Sequence, residues 1–318
     1  MMMKKSLPLV ILFILLAVVP FIGGRYLTYV ISLAAVFAIG AVGLDILMGY
    51  SGQICFGQAG FVAVGAYTTA ILVKHGLSYW LSLPVGGIVA GVAGVMIGLP
   101  ALRIRGHYLA LATMSFAYII HLVLVHWEKL TGGPRGLIAA RPDWPLSFSE
   151  DQRFYFPILL ICIVLFFIAR NIARSKFGRS LIALQKDEIV SRSMGINITR
   201  YKTLAFIISS FYGGVAGGLY GALVGFLDPL SFTILDSAYF IMMIVLGGRG
   251  TLYGALIGAC FFTILPEVLR GAQKWQELSF GLIFICFLIF MPNGVMGFIQ
   301  RYRLSFLERV TPLMGRKT

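Results

Sequence analysis

The sequence predicts an all-α polytopic membrane protein of about ten transmembrane helices, and three observations carry that prediction. Of its 318 residues, 59% are hydrophobic and only 12% are charged, roughly half the charged share of a soluble domain. The apolar residues gather in runs long enough to cross a hydrocarbon layer of about 30 Å, which takes about 20 residues of helix. Lys and Arg, 26 against 12 acids, concentrate in alternate loops, as the cytoplasmic loops of a multi-pass protein do. Such a chain leaves no room for a second, soluble domain. It also excludes a disordered protein, a coiled coil and a disulfide scaffold, which need charges, heptads or cysteines that are missing here.

In order, the apolar runs are Leu7 to Ile22, Tyr26 to Met48, Phe56 to Val73, Tyr79 to Leu102, Tyr108 to His126, Phe154 to Ala169, Leu204 to Phe226, Phe232 to Leu246, Thr251 to Pro266 and Ser279 to Ile299. The first follows Lys4 and Lys5 in the manner of a signal peptide, but no small-residue cleavage site comes after it, so it reads as an uncleaved span. With the N-terminus inside, ten crossings put 18 of the 26 basic residues on the cytoplasmic side, eight of them between Arg170 and Lys202 and five after Gln300. Only Asp187, Glu188 and Glu308 join them there; Asp45 lies within a span, and the outer side holds eight basic and eight acidic residues. The asymmetry places both termini inside. It also accounts for the net charge of +14 as a membrane signature rather than a nucleic-acid footprint.

The whole chain, 1–318, reads as one transmembrane domain: a first span (7–22), a first half of four spans (26–126), an external loop (127–153), a sixth span (154–169), a cytoplasmic segment (170–203), a second half of four spans (204–299) and a cytoplasmic tail (300–318). This division is compatible with a duplicated transporter fold, although no sequence repeat relates the halves. A short echo exists: Gly217 to Gly225 matches Gly250 to Gly258 at seven of nine positions, read as small-residue faces for close helix packing. The external loop holds Trp127, Trp144 and three prolines, and its run Thr131 to Gly136 reads as a turn. The cytoplasmic segment holds a helical stretch from about Arg179 to Met194, ended by Gly195 in a left-handed cap. Its length, its basic character and its place between the halves mark it, with Asp187 and Glu188, as a docking element.

One segment carries polar chemistry into the membrane. From Gly49 to Tyr67 the chain has glycines at 49, 52, 57, 60 and 65 and uncharged polar groups at Ser51, Gln53 and Gln58. So many glycines predict a broken helix, which is tolerated at membrane depth only where protein or a watery cavity satisfies the freed backbone. Asp45, Gly49, Ser51, Gly52, Gln53, Gly57 and Gln58 are therefore the candidates for a translocation pathway, with tight helix packing at the inner surface as the competing reading. Asp45 is the one acid deep in a span, and it can serve the transported solute or cap a glycine-rich turn. His107, His121 and His126 lack an acidic partner at helical spacing, and His75 is a loop residue. Cys55, Cys162, Cys260 and Cys286 read as small core residues, with no metal-ligand spacing among them. Paired carboxylates, HExxH, GxSxG and a nucleophile triad are all missing, as is a GxxxxGK[ST] phosphate loop, so the chain is neither an evident enzyme nor an ATPase by itself.

Three blocks resemble a known family: Gly49-Tyr-Ser-Gly-Gln53 through Gly65-Ala-Tyr67; Phe177 to Asn197, continuing to Thr199-Arg-Tyr-Lys202; and Gly247-Gly-Arg-Gly-Thr-Leu-Tyr-Gly254, followed by Pro266-Glu267. Together they resemble the LivM-type permease subunits of bacterial branched-chain amino acid ABC importers, with the related urea and amide permeases beside them. The resemblance implies that the second block is a cytoplasmic coupling helix, with Asp187, Glu188 and Gly195 facing an ATPase. It further implies a second related permease, two ATPases that hold ATP and Mg, and an extracytoplasmic solute-binding protein, for which the external loop with Arg135 and Arg141 is the docking candidate. No cofactor belongs to this chain itself. Cys55 and Asp45 depart from the family, where Ser and Asn are common. The expectation is an inner-membrane permease half for branched-chain or similar hydrophobic amino acids, working by alternating access. Urea or short amides form one alternative substrate class. An ion-coupled secondary transporter acting alone is the rival mechanism, with Asp45 as its one coupling candidate.

Overall fold

Within lipid every backbone N–H and C=O needs a partner inside the protein, and helices provide it. A computed structural model describes residues 20, 24–101, 107–139, 141–142, 150–269, 276–291 and 294–298. Its helices are α1 (Gly24–Asp45, prolonged by a π-helical turn Ile46–Tyr50), α2 (Gln58–Lys74), α3 (Tyr79–Ala101), α4 (His107–His126), α5 (Glu150–Arg174), α6 (Lys176–Lys186), α7 (Glu188–Ser193), α8 (Ile198–Val224), α9 (Ile234–Gly247), α10 (Leu252–Val268) and α11 (Gln276–Phe290). Among the described residues six stretches are long and apolar enough to cross a membrane: Gly24–Tyr50, Tyr79–Leu99, Tyr108–His126, Phe154–Arg174, Ile198–Val224 and Pro229–Gly247. Helices α2, α10 and α11 stand where spans were expected but have 17, 17 and 15 residues. The expected first span, Leu7 to Ile22, lies outside the described residues apart from Pro20.

Two expectations are corrected. The cytoplasmic helix expected from Arg179 to Met194 is two helices, because Asp187 is extended (φ −157°, ψ 116°) and turns its carboxylate onto the next helix as a cap. Of the four cysteines, Cys55 and Cys162 are buried, whereas Cys260 and Cys286 lie on the outside of the bundle; an apolar run supplies lipid-facing positions as readily as core ones.

Helix α8 organises the packing. It runs antiparallel to α1, with Gly43 against Tyr212 and Phe37 stacked on Tyr220 at 6.1 Å, and it lies along both α2 and α3. In return α1 packs on α10, α9 and α5. Each sequence half thus lends its first long helix to the helix pair of the other, so the halves interlock. Small residues permit this. A Cβ added to Gly217 would overlap the Val62 carbonyl oxygen, and one on Gly258 would overlap that of Met243, so both copies of the nine-residue echo are close-packing faces.

The loops sort to two ends. At one end Gly49 meets Gly250, and Gly52 meets Gln185 of α6. At the other end strand β1 (Leu137–Ile138) pairs antiparallel with β2 (Phe226–Leu227), beside the turn at Gly133–Arg135 and the His121 ring, whose Nδ1 is 3.2 Å from Pro229 O.

Replacing Gly217 with Val is expected to destabilise the protein by at least about 2 kcal/mol through overpacking against backbone that cannot retreat. Gly281→Ala in α11, where an added Cβ meets nothing within 4 Å, should be neutral or stabilise by up to about 1 kcal/mol through helix propensity. Melting temperatures in mild detergent check both.

Candidate functional site

The expected break in the glycine-rich segment is present, and it shows where the freed backbone groups find partners. Helix α1 ends at Asp45 and loosens into the π-helical turn; residues 51–57 are non-helical; α2 starts at Gln58. Ser51 Oγ donates to Leu47 O (2.6 Å), and the Gln53 N–H donates to the same carbonyl (3.3 Å). The Phe56 N–H donates to Thr113 Oγ1 of α4 (3.0 Å), Gly57 N–H approaches Cys55 Sγ (3.4 Å), and the Ala59 N–H donates to Ser237 Oγ of α9 (3.0 Å). Helices α4 and α9 therefore supply the hydrogen bonds that the broken helix has lost.

Asp45 is fully buried, and the Gly250 N–H donates to its Oδ1 at 2.8 Å. Of the two roles open to it, the geometry presents a capped glycine turn, but a turn 205 residues away in the chain. Oδ2 of the same carboxylate has no protein partner. Gly49 must lack a side chain here, since a Cβ would overlap both Asp45 Oδ1 and Gly250 N. Glycines in the first and third resemblance blocks thus belong to one contact, with the Asp45 carboxylate as its clasp.

Gln58 forms a second clasp. With no exposed surface, its Nε2 donates to Gly40 O of α1 (3.1 Å) and its Oε1 accepts from Ser209 Oγ of α8 (3.3 Å). It joins three helices. Gln53 is also buried, yet neither polar atom of its side chain has a hydrogen-bond partner in the protein. Gly52, at φ +73°, turns the chain against Gln185. The pathway candidates therefore separate into clasps (Asp45, Gly49, Gln58), self-capping turn residues (Ser51, Gly57), a turn that seats on α6 (Gly52) and one unpartnered amide (Gln53).

The α6–α7 arm is built from local capping. Ser175 Oγ accepts from the N–H groups of Phe177 and Gly178 to start α6, and Asp187 Oδ1 accepts from Ile189 N–H (2.8 Å) and Val190 N–H (3.0 Å) to start α7. Gly195 closes α7 at φ +81°, donating to Arg192 O while Ile196 N–H reaches Ser191 O, the double bond of a Schellman cap. Leu181 and Leu184 bury α6 against the bundle, and Phe177 stacks on Tyr201 of α8 with centroids 5.6 Å apart. The tip is apolar: Ile189 is 81% exposed and Met194 76%. Arg179, Lys186 and Arg192 along α6 and α7 are exposed too, with Arg179 Nη1 donating back to Arg174 O at the start of α6 (2.9 Å). Glu188 pairs with Lys202 at 2.5 Å. Of the three expected coupling residues, then, Asp187 and Gly195 shape the arm, and Glu188 makes an internal ion pair.

At the opposite end Arg135 is exposed at the close of the Gly133–Arg135 turn, and exposed Arg141 donates through Nη2 to Leu223 O (3.3 Å). Sequence reasoning missed Thr113, Ser209, Ser237, Gly250 and Lys202 as partners. Four of these act on residues more than fifty positions away, for which one sequence holds no signal. Lys202, fourteen residues after Glu188, was within sight as the last residue of the second block.

The family described as "Branched-chain amino acid transport system / permease component" matches residues 26–291. Among curated relatives, the high-affinity branched-chain amino acid transport system permease protein LivM of Escherichia coli K12 is 33% identical, over 92% of this chain and 75% of its own length. LivH, a permease protein of the same named system and organism, is 27% identical over 84% of this chain and 93% of its own. The autoinducer 2 import system permease protein LsrC of E. coli O9:H4 is 26% identical over 72% and 70%. No solved structure matches this chain.

Asp45→Asn retains an oxygen for the Gly250 N–H and is expected to leave the melting temperature in detergent nearly unchanged. Asp45→Ala leaves that buried donor unsatisfied and should cost about 1–3 kcal/mol, visible as a clear fall in melting temperature. Equal losses in both variants would mean that charge, not the accepting oxygen, holds the turn.

Proposed function

The chain belongs to the branched-chain amino acid transport permease family, and from that premise we propose that it is a membrane-spanning subunit of an ATP-driven importer for branched-chain or similar hydrophobic amino acids. The observation that carries the mechanism is the α6–α7 arm: an exposed apolar tip on an arm rich in exposed basic residues, seated on the bundle by buried leucines and tied to its central helix. A solvated loop has no use for exposed Ile189, Val190 and Met194. An arm that inserts into a groove of another subunit does.

In this reading the protein lies in the bacterial inner membrane with ten spans and both termini inside. The sorting of loops to two ends, with the basic arm at one of them, supports this orientation. Two ATPase subunits bind ATP and Mg and close on each other, moving the two arms of a permease pair. The second permease is a related chain, as LivH stands beside LivM in the named E. coli system. A solute-binding protein docks at the face carrying Arg135 and Arg141 and releases the amino acid into the path between the permeases. This chain carries no ATP chemistry of its own.

The motion has a physical route. Helix α8 receives the arm at its second turn and touches the Gln58 clasp about two-fifths of the way along, so displacement of the arm bears on the junction where α1, α2, α8 and α9 meet. Asp45, buried and engaged with the Gly250 N–H, weighs against ion coupling by a lone carboxylate, which would need access to solution from alternate sides.

Two measurements test the reading. Radiolabelled leucine uptake by host cells should stop when ATP is depleted and persist when an ionophore collapses ion gradients at constant ATP; the reverse pattern would establish a secondary transporter. Excess unlabelled isoleucine or valine should suppress leucine uptake, whereas excess urea or acetamide should not.

A further inference from the structure

Resting on the reading of the arm as the coupling element, we propose that Glu188 and Lys202 act as a strut within the permease, rather than Glu188 acting as a contact to the ATPase. Glu188 opens α7, where an acid is favoured by the helix dipole, and its Oε1 meets Lys202 Nζ in the second turn of α8. Between them the chain doubles back through Gly195, left-handed and with nothing within 4 Å of an added Cβ. That connection alone joins α7 to α8 at one end only. With the pair in place, α7 is attached to α8 at both its ends, through the Gly195–Asn197 connection and through the carboxylate at its base.

Exposure supports the division of labour. Lys202 is 14% exposed and Glu188 38%, while the side chains that stand clear of the bundle are Ile189, Val190 and Met194. The apolar tip is what a partner's groove can take hold of. The ion pair lies behind it, next to the Phe177–Tyr201 stack that ties α6 to the same turn of α8. A push on the tip then moves α8 as one body with the arm. Without the pair, α7 swivels about Gly195 and the push is lost.

The test is a charge swap in the full complex, reading leucine taken up per ATP hydrolysed together with the amount of ATPase that co-purifies. Glu188→Lys and Lys202→Glu, each alone, should keep the ATPases bound yet lower the coupling ratio by about five-fold or more, and the double swap should return it to within about two-fold of the starting protein, as interacting pairs do in a double-mutant cycle. If either reversal prevents assembly, the neutral pair Glu188→Gln with Lys202→Met replaces it and should lose coupling to the same extent. A harmless Lys202→Glu, an unrescued double swap or a fully coupled neutral pair would overturn the strut. Failure of any ATPase to co-purify with the unmodified chain would overturn the transport assignment itself, and is read in the same preparation before any variant is compared.

Discussion

The structure depends on one constraint: where the chain turns from one packed helix into the next, the backbone groups left unpaired must find partners in the rest of the protein. Residues 51–57 interrupt the path from α1 to α2, and each partner that makes the interruption tolerable comes from elsewhere in the bundle or from the turn itself. Thr113 on α4 receives Phe56 N–H, and Ser237 on α9 receives Ala59 N–H. Asp45 holds the Gly250 turn in place beside the break. Once the break is fixed in this way, α2, α4, α9 and the start of α10 have little freedom to be anywhere else.

Close packing and polar clasps serve the same end by different physics. Apolar side chains gain nothing from meeting each other rather than lipid tails, so helices in a membrane are held by close approach and by hydrogen bonds. The crossing of α8 over α1, α2 and α3 uses both: glycines bring the backbones together, and the Gly40–Gln58–Ser209 chain of hydrogen bonds fixes the register. The apolar groove of about 360 Å³ between α3, α5 and α8, lined by residues such as Ile88, Val92, Leu165 and Phe211, has the same kind of clasp at its wall, where Tyr212 OH of α8 donates to Leu165 O of α5 at 2.8 Å.

What could be read from the sequence follows from the range of the forces involved. Apolar runs located the helices because lipid demands length and hydrophobicity locally, and the Gly195 cap was legible because a Schellman turn is a property of consecutive residues. The break after Asp45 was legible from its glycines. Its clasps were not, because Asp45 and Gly250, or Gln58 and Ser209, are brought together only by the crossing of whole helices. The continuous Arg179–Met194 helix failed for a subtler reason. Asp187 is an acceptable helix residue by composition, and only its carboxylate turning onto the Ile189 and Val190 N–H groups makes it a boundary. Reading Asp187-Glu188 as an acidic pair concealed that one residue is a cap and the other an ion-pair partner.

This separation of roles bears on how the proposed importer would tolerate change at the face that carries the arm. Were the arm's carboxylates the contacts to the ATPase, the pairing would be set by charge and screened by salt. An apolar tip makes a contact without a required charge partner, and its fit depends on shape and desolvation. The charges are then free to do what buried and half-buried charges do well, which is to fix geometry within one chain. Glu188 and Lys202 fix the angle of α7 against α8, Asp45 fixes the Gly250 turn against α1, and α8 runs between these two regions. A half-exposed ion pair and a buried carboxylate thus hold geometry at two places near α8, while the residues most exposed on α7 are apolar.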